Sequence, residues 1–397
     1  MNESRLKTAV KETNFLLLII CLAASAMGIL VVMSATMWQN KDGELFSRDA
    51  FVMLLAVAAG IIGCLFISFL DYEVLTRKWF IIAIFVFCVG IMLSLRVIGV
   101  SPDEREDATR WWKFGEFYFQ PSALVMLGVV MSFATHLNAV GEEINKPKQL
   151  VLLILHGGII GALVVVTGDM GSALVFFIVF GGMLYMAGLK WYYFAAAFLL
   201  ICAALPLAWI RVLGVFHKER LMAVYPNFLA ALGQTMPEET HKAVIFQQQR
   251  CVEAISSGGL MGQGLFNGDY TQQQKIPVSE SDMIFAVIGE EFGFVGAALT
   301  FILLAAIVVC CVLAGRKSRD NIGKLICGGI ALMIGIQAIV NIGMCLKFLP
   351  CIGITLPFFS AGGSSNLCVW LGIGIVMSIS RHSQEHGPTR VRFIKRM

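Results

Sequence analysis

The sequence predicts an all-α integral membrane protein with about ten transmembrane helices, and three observations carry that reading. Hydrophobic residues make up 58% of the 397 positions, and the mean hydropathy is +0.79. Apolar runs of about 18 or more residues, the length that crosses a hydrocarbon core of ~30 Å, recur about ten times. Charged residues are only 14% and crowd into the gaps between those runs.

In order, the runs predict spans over 15–37, 50–70, 79–98, 120–137 and 149–167, then 171–188, 190–210, 283–313, 322–348 and 365–380. A long loop, about 211–282, separates the seventh from the eighth. No soluble domain, low-complexity tract or internal repeat interrupts the series, so residues 1–397 read as one polytopic membrane domain. No small-residue cleavage site follows the first run, which predicts a retained anchor.

Basic residues set the expected orientation, because Lys and Arg favour the cytoplasmic side of short loops. Seventeen fall on the side of the termini: Arg5, Lys7, Lys11, Arg77, Lys78, Lys146, Lys148, Lys190, the group from Arg316 to Lys324, and the tail from Arg381 to Arg396. Seven fall opposite: Lys41, Arg48, Arg96, Arg105, Arg110, Lys113 and Lys347. Six lie in the long loop, which carries little weight in this rule. Both termini are expected in the cytoplasm and the long loop outside it.

Nine of the 11 cysteines fall inside apolar segments, so they read as buried thiols and not as a disulfide framework. The six histidines show no metal-ligand spacing. The charge pattern suits a membrane surface, and no nucleic-acid partner is expected.

Two outer segments are informative. Ala108-Thr109-Arg110-Trp111-Trp112-Lys113 leads to Phe119-Gln120-Pro121-Ser122. Aromatic residues beside cations suit either a headgroup-level belt or a site. In the long loop, Val215–Leu232 and Thr240–Ile255 mix apolar and polar residues at helical spacing and are expected to lie flat in the interface. Lys218, Arg220, Arg250 and Lys275 make that surface cationic, which suits an anionic lipid headgroup or a pyrophosphate.

The loop closes on a glycine-rich stretch, Ile255 to Gly264, and then Asp282 at the mouth of the eighth span. Glu290 and Glu291 follow on the expected helix, roughly 12–14 Å farther in at 1.5 Å per residue. Ionisable groups at membrane depth are costly unless they face a cavity or a partner. Asp282 can be a site or a helix cap, and so can Asp169 between Gly168 and Met170-Gly171. Leu356-Pro357-Phe358-Phe359-Ser360-Ala361-Gly362-Gly363-Ser364-Ser365 precedes the last span with non-helical backbone, which membrane depth tolerates only in a protected or wet setting. Together with the glycine-rich stretch and Asp169 it predicts a polar cavity that opens outward. Gln337 and Asn341, four apart on one helix face, read as inter-helix hydrogen bonders.

These segments, in this order, resemble the shape, elongation, division and sporulation family (FtsW, RodA, SpoVE) from about Arg110 to Ser380. Arg110-Trp111 and Gln120-Pro121-Ser122 resemble its RW and QPS motifs, and Asp169-Met170-Gly171-Ser172-Ala173 resembles PDLGTA. Ile255-Ser256-Ser257-Gly258-Gly259 resembles IGSGG, while Asp282 with Phe285 to Glu291 resembles TDFIFAVIGEE. Asn341-Ile342-Gly343 and Leu356 to Ser365 resemble NIG and LPFISYGGSS.

The resemblance implies a peptidoglycan glycosyltransferase in the bacterial cytoplasmic membrane. It would polymerise lipid II beside a class B penicillin-binding protein, with Asp282 as catalytic residue. Substrate contacts are expected from Arg110, Trp111, Gln120, Asp169, Lys218, Arg220, Gln247, Ser257, Lys275 and Ser364, with Glu290, Glu291 and Asn341 in support. Membrane lipids are further partners. Cations for the leaving pyrophosphate would come from Arg110, Lys218, Arg220 or a divalent metal, Mg or Mn.

Departures from the family pattern are clear. Ala123 and Met126 stand where the family has Glu and Lys, Thr167-Gly168 replaces Gln-Pro, Lys347 replaces a glycine, and Ala361 replaces a tyrosine. GTQ becomes Asp269-Tyr270-Thr271-Gln272. A lipid flippase or transporter is the rival reading from another class, because helices around a polar cavity serve it too. A catalytically weak scaffold is a third.

Overall fold

The computed structural model describes residues 14–384 except 40–45, 102–108, 116, 212–213, 232 and 234–235. Among the residues used above, Arg5, Lys7, Lys11, Lys41, Arg105, Ala108, Leu232, Arg390, Arg392, Lys395 and Arg396 lie outside the described ones.

Nine of the ten expected spans are each one helix, and the eighth, 283–313, is divided in two. They are α1 (Phe15–Ala35), α2 (Arg48–Phe69), α3 (Lys78–Ile98), α4 (Pro121–Val140), α5 (Pro147–Val166), α6 (Met170–Met186) and α7 (Trp191–Arg211). The extramembrane segment holds α8 (Val215–Val224), α9 (Pro226–Ala231), α10 (Glu238–Gly258) and the single turn α11 (Asp269–Gln272). It is followed by α12 (Ile284–Glu291), α13 (Gly293–Arg316), α14 (Asn321–Cys345) and α15 (Gly363–Gln384). Eight of these helices are long and apolar enough to cross a membrane, and two shorter apolar ones, Met170–Met186 and Trp191–Leu207, complete the multi-pass bundle.

Local chemistry starts the helices where the sequence offers it. Asn14, Ser47, Asp169 and Asp320 cap α1, α2, α6 and α14 by accepting from backbone N–H groups that have no partner within the helix. Pro121 and Pro147 open α4 and α5, where a missing N–H costs nothing.

Burial sorts the bundle into centre and rim. In α14 and α15, 67% and 83% of the apolar window is covered by protein, against 28–39% in α1, α2, α3, α5 and α13. The outer helices therefore keep apolar side chains on the surface, as lipid contact requires. Small residues bring α15 against α2: Gly60 receives the Trp370 side chain, and Gly374 lies on the Cys64 backbone.

Three expectations are corrected. The 283–313 span is not one helix; it breaks at Phe292 into α12 and α13, and Gly293 turns with φ +63°. The break is capped by the glycine-rich stretch. Gln263 N and Gly264 N donate to the carbonyls of Glu290 and Glu291, while Phe294 N and Val295 N donate to those of Gly259 and Leu260. Secondly, Val215–Leu232 divides at Tyr225-Pro226, since proline cannot continue the hydrogen-bond ladder. Nor does α10 lie with a free apolar face. Ile245, Gln248, Cys251 and Ala254 bury it against α12 and its neighbours. Thirdly, the aromatic segment after Arg110 forms a hairpin, β1 (Trp112–Phe114) and β2 (Phe117–Phe119), in register Trp112↔Phe119 and Lys113↔Tyr118.

Candidate active site

Asp282 lies on a segment whose backbone is tied down three times. Ala361 N donates to Glu280 O at 2.8 Å, Ser360 Oγ to Ser281 O at 2.6 Å, and Asn341 Nδ2 to Asp282 O at 2.8 Å. Asn341 also donates to Ile354 O at 2.7 Å, so one buried amide joins the segment to the loop before α15. These bonds satisfy carbonyls that irregular backbone leaves open. The N-cap of α12 is Met283, with no side-chain cap hydrogen bond.

The opposite side of the site comes from the loop 346–362. Arg220 of α8 donates to Cys351 O, and Gln248 of α10 donates to Met344 O at 2.9 Å and Leu349 O at 2.7 Å. Gly353 turns with φ +72°, and a Cβ there would sit 3.3 Å from Asp282 Oδ2. Only glycine lets that backbone come so near the carboxylate.

A cavity of about 470 Å³ opens between these parts. Asp282, Arg110, Trp111, Gln120, Arg220 and Gln247 line it together, so six of the residues singled out in the sequence meet there. Arg48, Asp49 and Glu280 join them. These three carry signals that sequence reasoning passed over. A cation in the first turn of a helix opposes the helix dipole, which makes Arg48 unusual after the cap Ser47. Glu280 stands two residues from Asp282, and its carboxyl is pushed above the usual range by burial and by nearby Asp49. Burial likewise pushes the Cys351 thiol up to about 11, which leaves little thiolate for nucleophilic chemistry.

Other candidates lie behind the cavity or away from it. Asp169 is buried; it caps α6 through Ser172 N, and its second oxygen accepts from Gln120 Nε2 at 2.8 Å and Ser122 Oγ at 2.9 Å. Ser364 Oγ accepts from Gln120 N at 3.2 Å. Both therefore position Gln120. Ser257 donates to Ala254 O at 2.7 Å and accepts from Gln263, within the capped break. Lys275 stands over the Tyr270 ring at 5.1 Å, and Lys218 sits on α8 outside the lining. The glycine-rich stretch does not line the cavity, contrary to expectation.

Glu290 and Glu291 are buried outside the cavity lining. Glu290 accepts from Tyr270 N, Thr271 N and Thr271 Oγ1 at 2.6, 3.0 and 2.6 Å, holding α11. Glu291 accepts from Ser34 Oγ at 2.5 Å. Ser34 is the penultimate residue of α1, so Glu291 ties the break at Phe292 to the end of that helix. Among the described residues, no group of three or more His, Cys, Asp or Glu side chains is arranged to hold a metal ion.

This arrangement puts three carboxylates, Asp49, Glu280 and Asp282, beside three arginines in one cavity of a multi-pass bundle. The model of the FtsW, RodA and SpoVE family of cell cycle proteins matches residues 14–385. The chain belongs to that family. Among FtsW/RodA/SpoVE relatives, it is 29% identical over 391 residues to the probable peptidoglycan glycosyltransferase FtsW of Geobacter metallireducens, covering 94% of this chain and 95% of that one. It is 27% identical over 305 residues to the peptidoglycan glycosyltransferase MrdB of Escherichia coli K12, covering 75% and 77%. The family fold is shared with one chain of a solved peptidoglycan synthase complex that coordinates polymerization and crosslinking (TM-score 0.74, 24% identity, 94% and 98% covered). It is shared also with the rod shape determining protein RodA of Thermus thermophilus (TM-score 0.65, 22% identity, 93% and 97% covered).

Proposed function

We propose that this protein is a peptidoglycan glycosyltransferase that polymerises lipid II at the outer face of the bacterial cytoplasmic membrane. The carrying observation is that Asp282 shares one cavity with Arg48, Arg110 and Arg220. A carboxylate and a group of cations are what the transfer asks for at its two ends.

The acceptor 4-hydroxyl oxygen forms a bond to the anomeric carbon of the donor, and the bond from that carbon to the pyrophosphate oxygen breaks. Asp282 takes the hydroxyl proton as the new bond forms, help of roughly 10²–10⁴-fold. The arginines stabilise the departing polyprenyl pyrophosphate, whose charge grows as the bond breaks. Guanidinium groups suit this because their planar forks match phosphate oxygens. Asn341, Ser360 and Ala361 hold the Asp282 backbone while this happens.

The basic asymmetry of the short loops supports cytoplasmic termini and an outward cavity. That a chain sharing the fold belongs to a complex coordinating polymerization and crosslinking supports work beside a class B penicillin-binding protein.

Purified protein with labelled lipid II tests the reading. Polymer formed in detergent is expected. Movement of lipid II across liposomes with no polymer would replace the enzyme by a flippase.

A further inference from the structure

Besides charge, the cavity has an aromatic component that the transfer chemistry leaves unused. Phe117 and Tyr118 of β2 line it together with Trp111. They are 54% and 41% exposed, large apolar side chains held open to solvent in a segment outside the spans. Their strand is fixed from behind. Trp112 stacks on Phe119 at 6.2 Å, and Lys113 stands over the Tyr118 ring at 5.7 Å.

We propose that the β2 rings at the cavity, Tyr118 on one face of the strand and Phe117 on the other, supply a saccharide-stacking subsite, in which a sugar ring of the substrate rests against the hairpin. This deepens the proposed function and rests on it. The chemical reason is complementarity. A pyranose has polar edges and faces of C–H bonds that carry slight positive charge. Those faces are drawn to the negative face of an aromatic ring, while the edges seek hydrogen bonds.

The cavity supplies both kinds of partner. Aromatic rings come from β2, and the planar amides of Gln120 and Gln247 with the carboxylates of Asp49 and Glu280 come from four other segments. A polyprenyl tail asks for none of these polar groups, and a pyrophosphate asks for cations, which the arginines supply. A sugar ring, with apolar faces and hydroxylated edges, uses the aromatic rings and these polar groups together.

The same hairpin contains its own control. Phe114 pairs with Phe117 across the turn and is 59% exposed, yet it does not line the cavity. If the aromatics only served as a headgroup belt, all three rings would behave alike.

The experiment compares two ligands on full-length protein in detergent: lipid II, and polyprenyl pyrophosphate of the same chain length without sugar. The double variant Phe117→Ala/Tyr118→Ala is expected to lose about tenfold or more in affinity for lipid II, with sugar-free affinity kept within about twofold. Tyr118→Phe alone keeps the ring and should retain wild-type binding of both. Phe114→Ala should change neither. Equal loss for both ligands, no loss for lipid II, or the same loss in Phe114→Ala would each overturn the subsite. Wild-type protein that binds neither lipid would overturn the proposed function itself, and the subsite with it.

Discussion

The side-chain amide of Asn341 holds the main chain of Asp282, donating to its carbonyl at 2.8 Å. The same amide reaches Ile354 O at 2.7 Å, and Asn341 is fully buried in α14. One residue of the central helix thus fixes the loop that carries the carboxylate. Asn341→Ala is expected to leave two carbonyls without their donor, costing about 1–3 kcal/mol, and to cut polymerisation because Asp282 loses its anchor. Thermal denaturation and lipid II turnover, measured together, check both. Unchanged turnover would remove Asn341 from the support of the site.

Asp282→Asn separates chemistry from structure. Asparagine has nearly the same shape but accepts no proton at neutral pH. The variant should insert and fold like wild type, bind lipid II, and make polymer at least 10²-fold more slowly. Near wild-type polymerisation would sink the general-base assignment.

Arg48 is exposed toward the cavity, so its loss should act on substrate more than on stability. Arg48→Ala is expected to lower kcat/KM roughly 10²-fold and to shift stability by no more than about 0.5 kcal/mol. Arg48→Lys should restore only part of the loss, because an ammonium cannot grip phosphate bidentately. Full restoration by Lys would reduce the role to a plain positive charge.

Glu280 makes a pH prediction with a definite sign. Its folded carboxyl, raised by burial and by Asp49, keeps its proton above the ordinary 4.5. Over that window the folded state binds more protons than the unfolded state, so this group makes stability fall as pH rises from 4.5 upward. Glu280→Gln should flatten that part of the stability curve and stabilise the protein at neutral pH. A curve of unchanged slope would remove Glu280 as its source.

Topology can be read by labelling. Gln273 is exposed in the segment after α11. Gln273→Cys, in a background without reactive thiols, should react with a membrane-impermeant reagent added from outside. Protection there, with reaction only after the membrane is opened, would reverse the orientation.

Hydropathy by itself determined the bundle. Apolar runs long enough to span must become helices, because no other open structure satisfies backbone groups in lipid. All ten runs are helical and nine are single helices within a few residues of their expected ends, while 283–313 is two. The sequence also singled out Asp282, Arg110, Trp111, Gln120, Arg220 and Gln247, spread over more than 170 positions, and the structure brings them to one cavity. What the sequence could not determine was any feature that rests on contacts between distant segments. The break at Phe292 was hidden, since apolar residues run on either side of Glu290-Glu291 and hydropathy does not register a change of direction. The glycine-rich stretch looked like a ligand loop, and only its bonds to the ends of α12 and α13 made it a cap. Asp169 was open between cap and site until α4 came alongside and placed Gln120 on its free oxygen. Arg48 entered the cavity from a segment counted only for its charge, and Phe117, not singled out at all, from between segments that suited a belt or a site. Tertiary structure decided these because a cavity is a property of the surfaces that several elements turn toward one another, and those surfaces are fixed by packing.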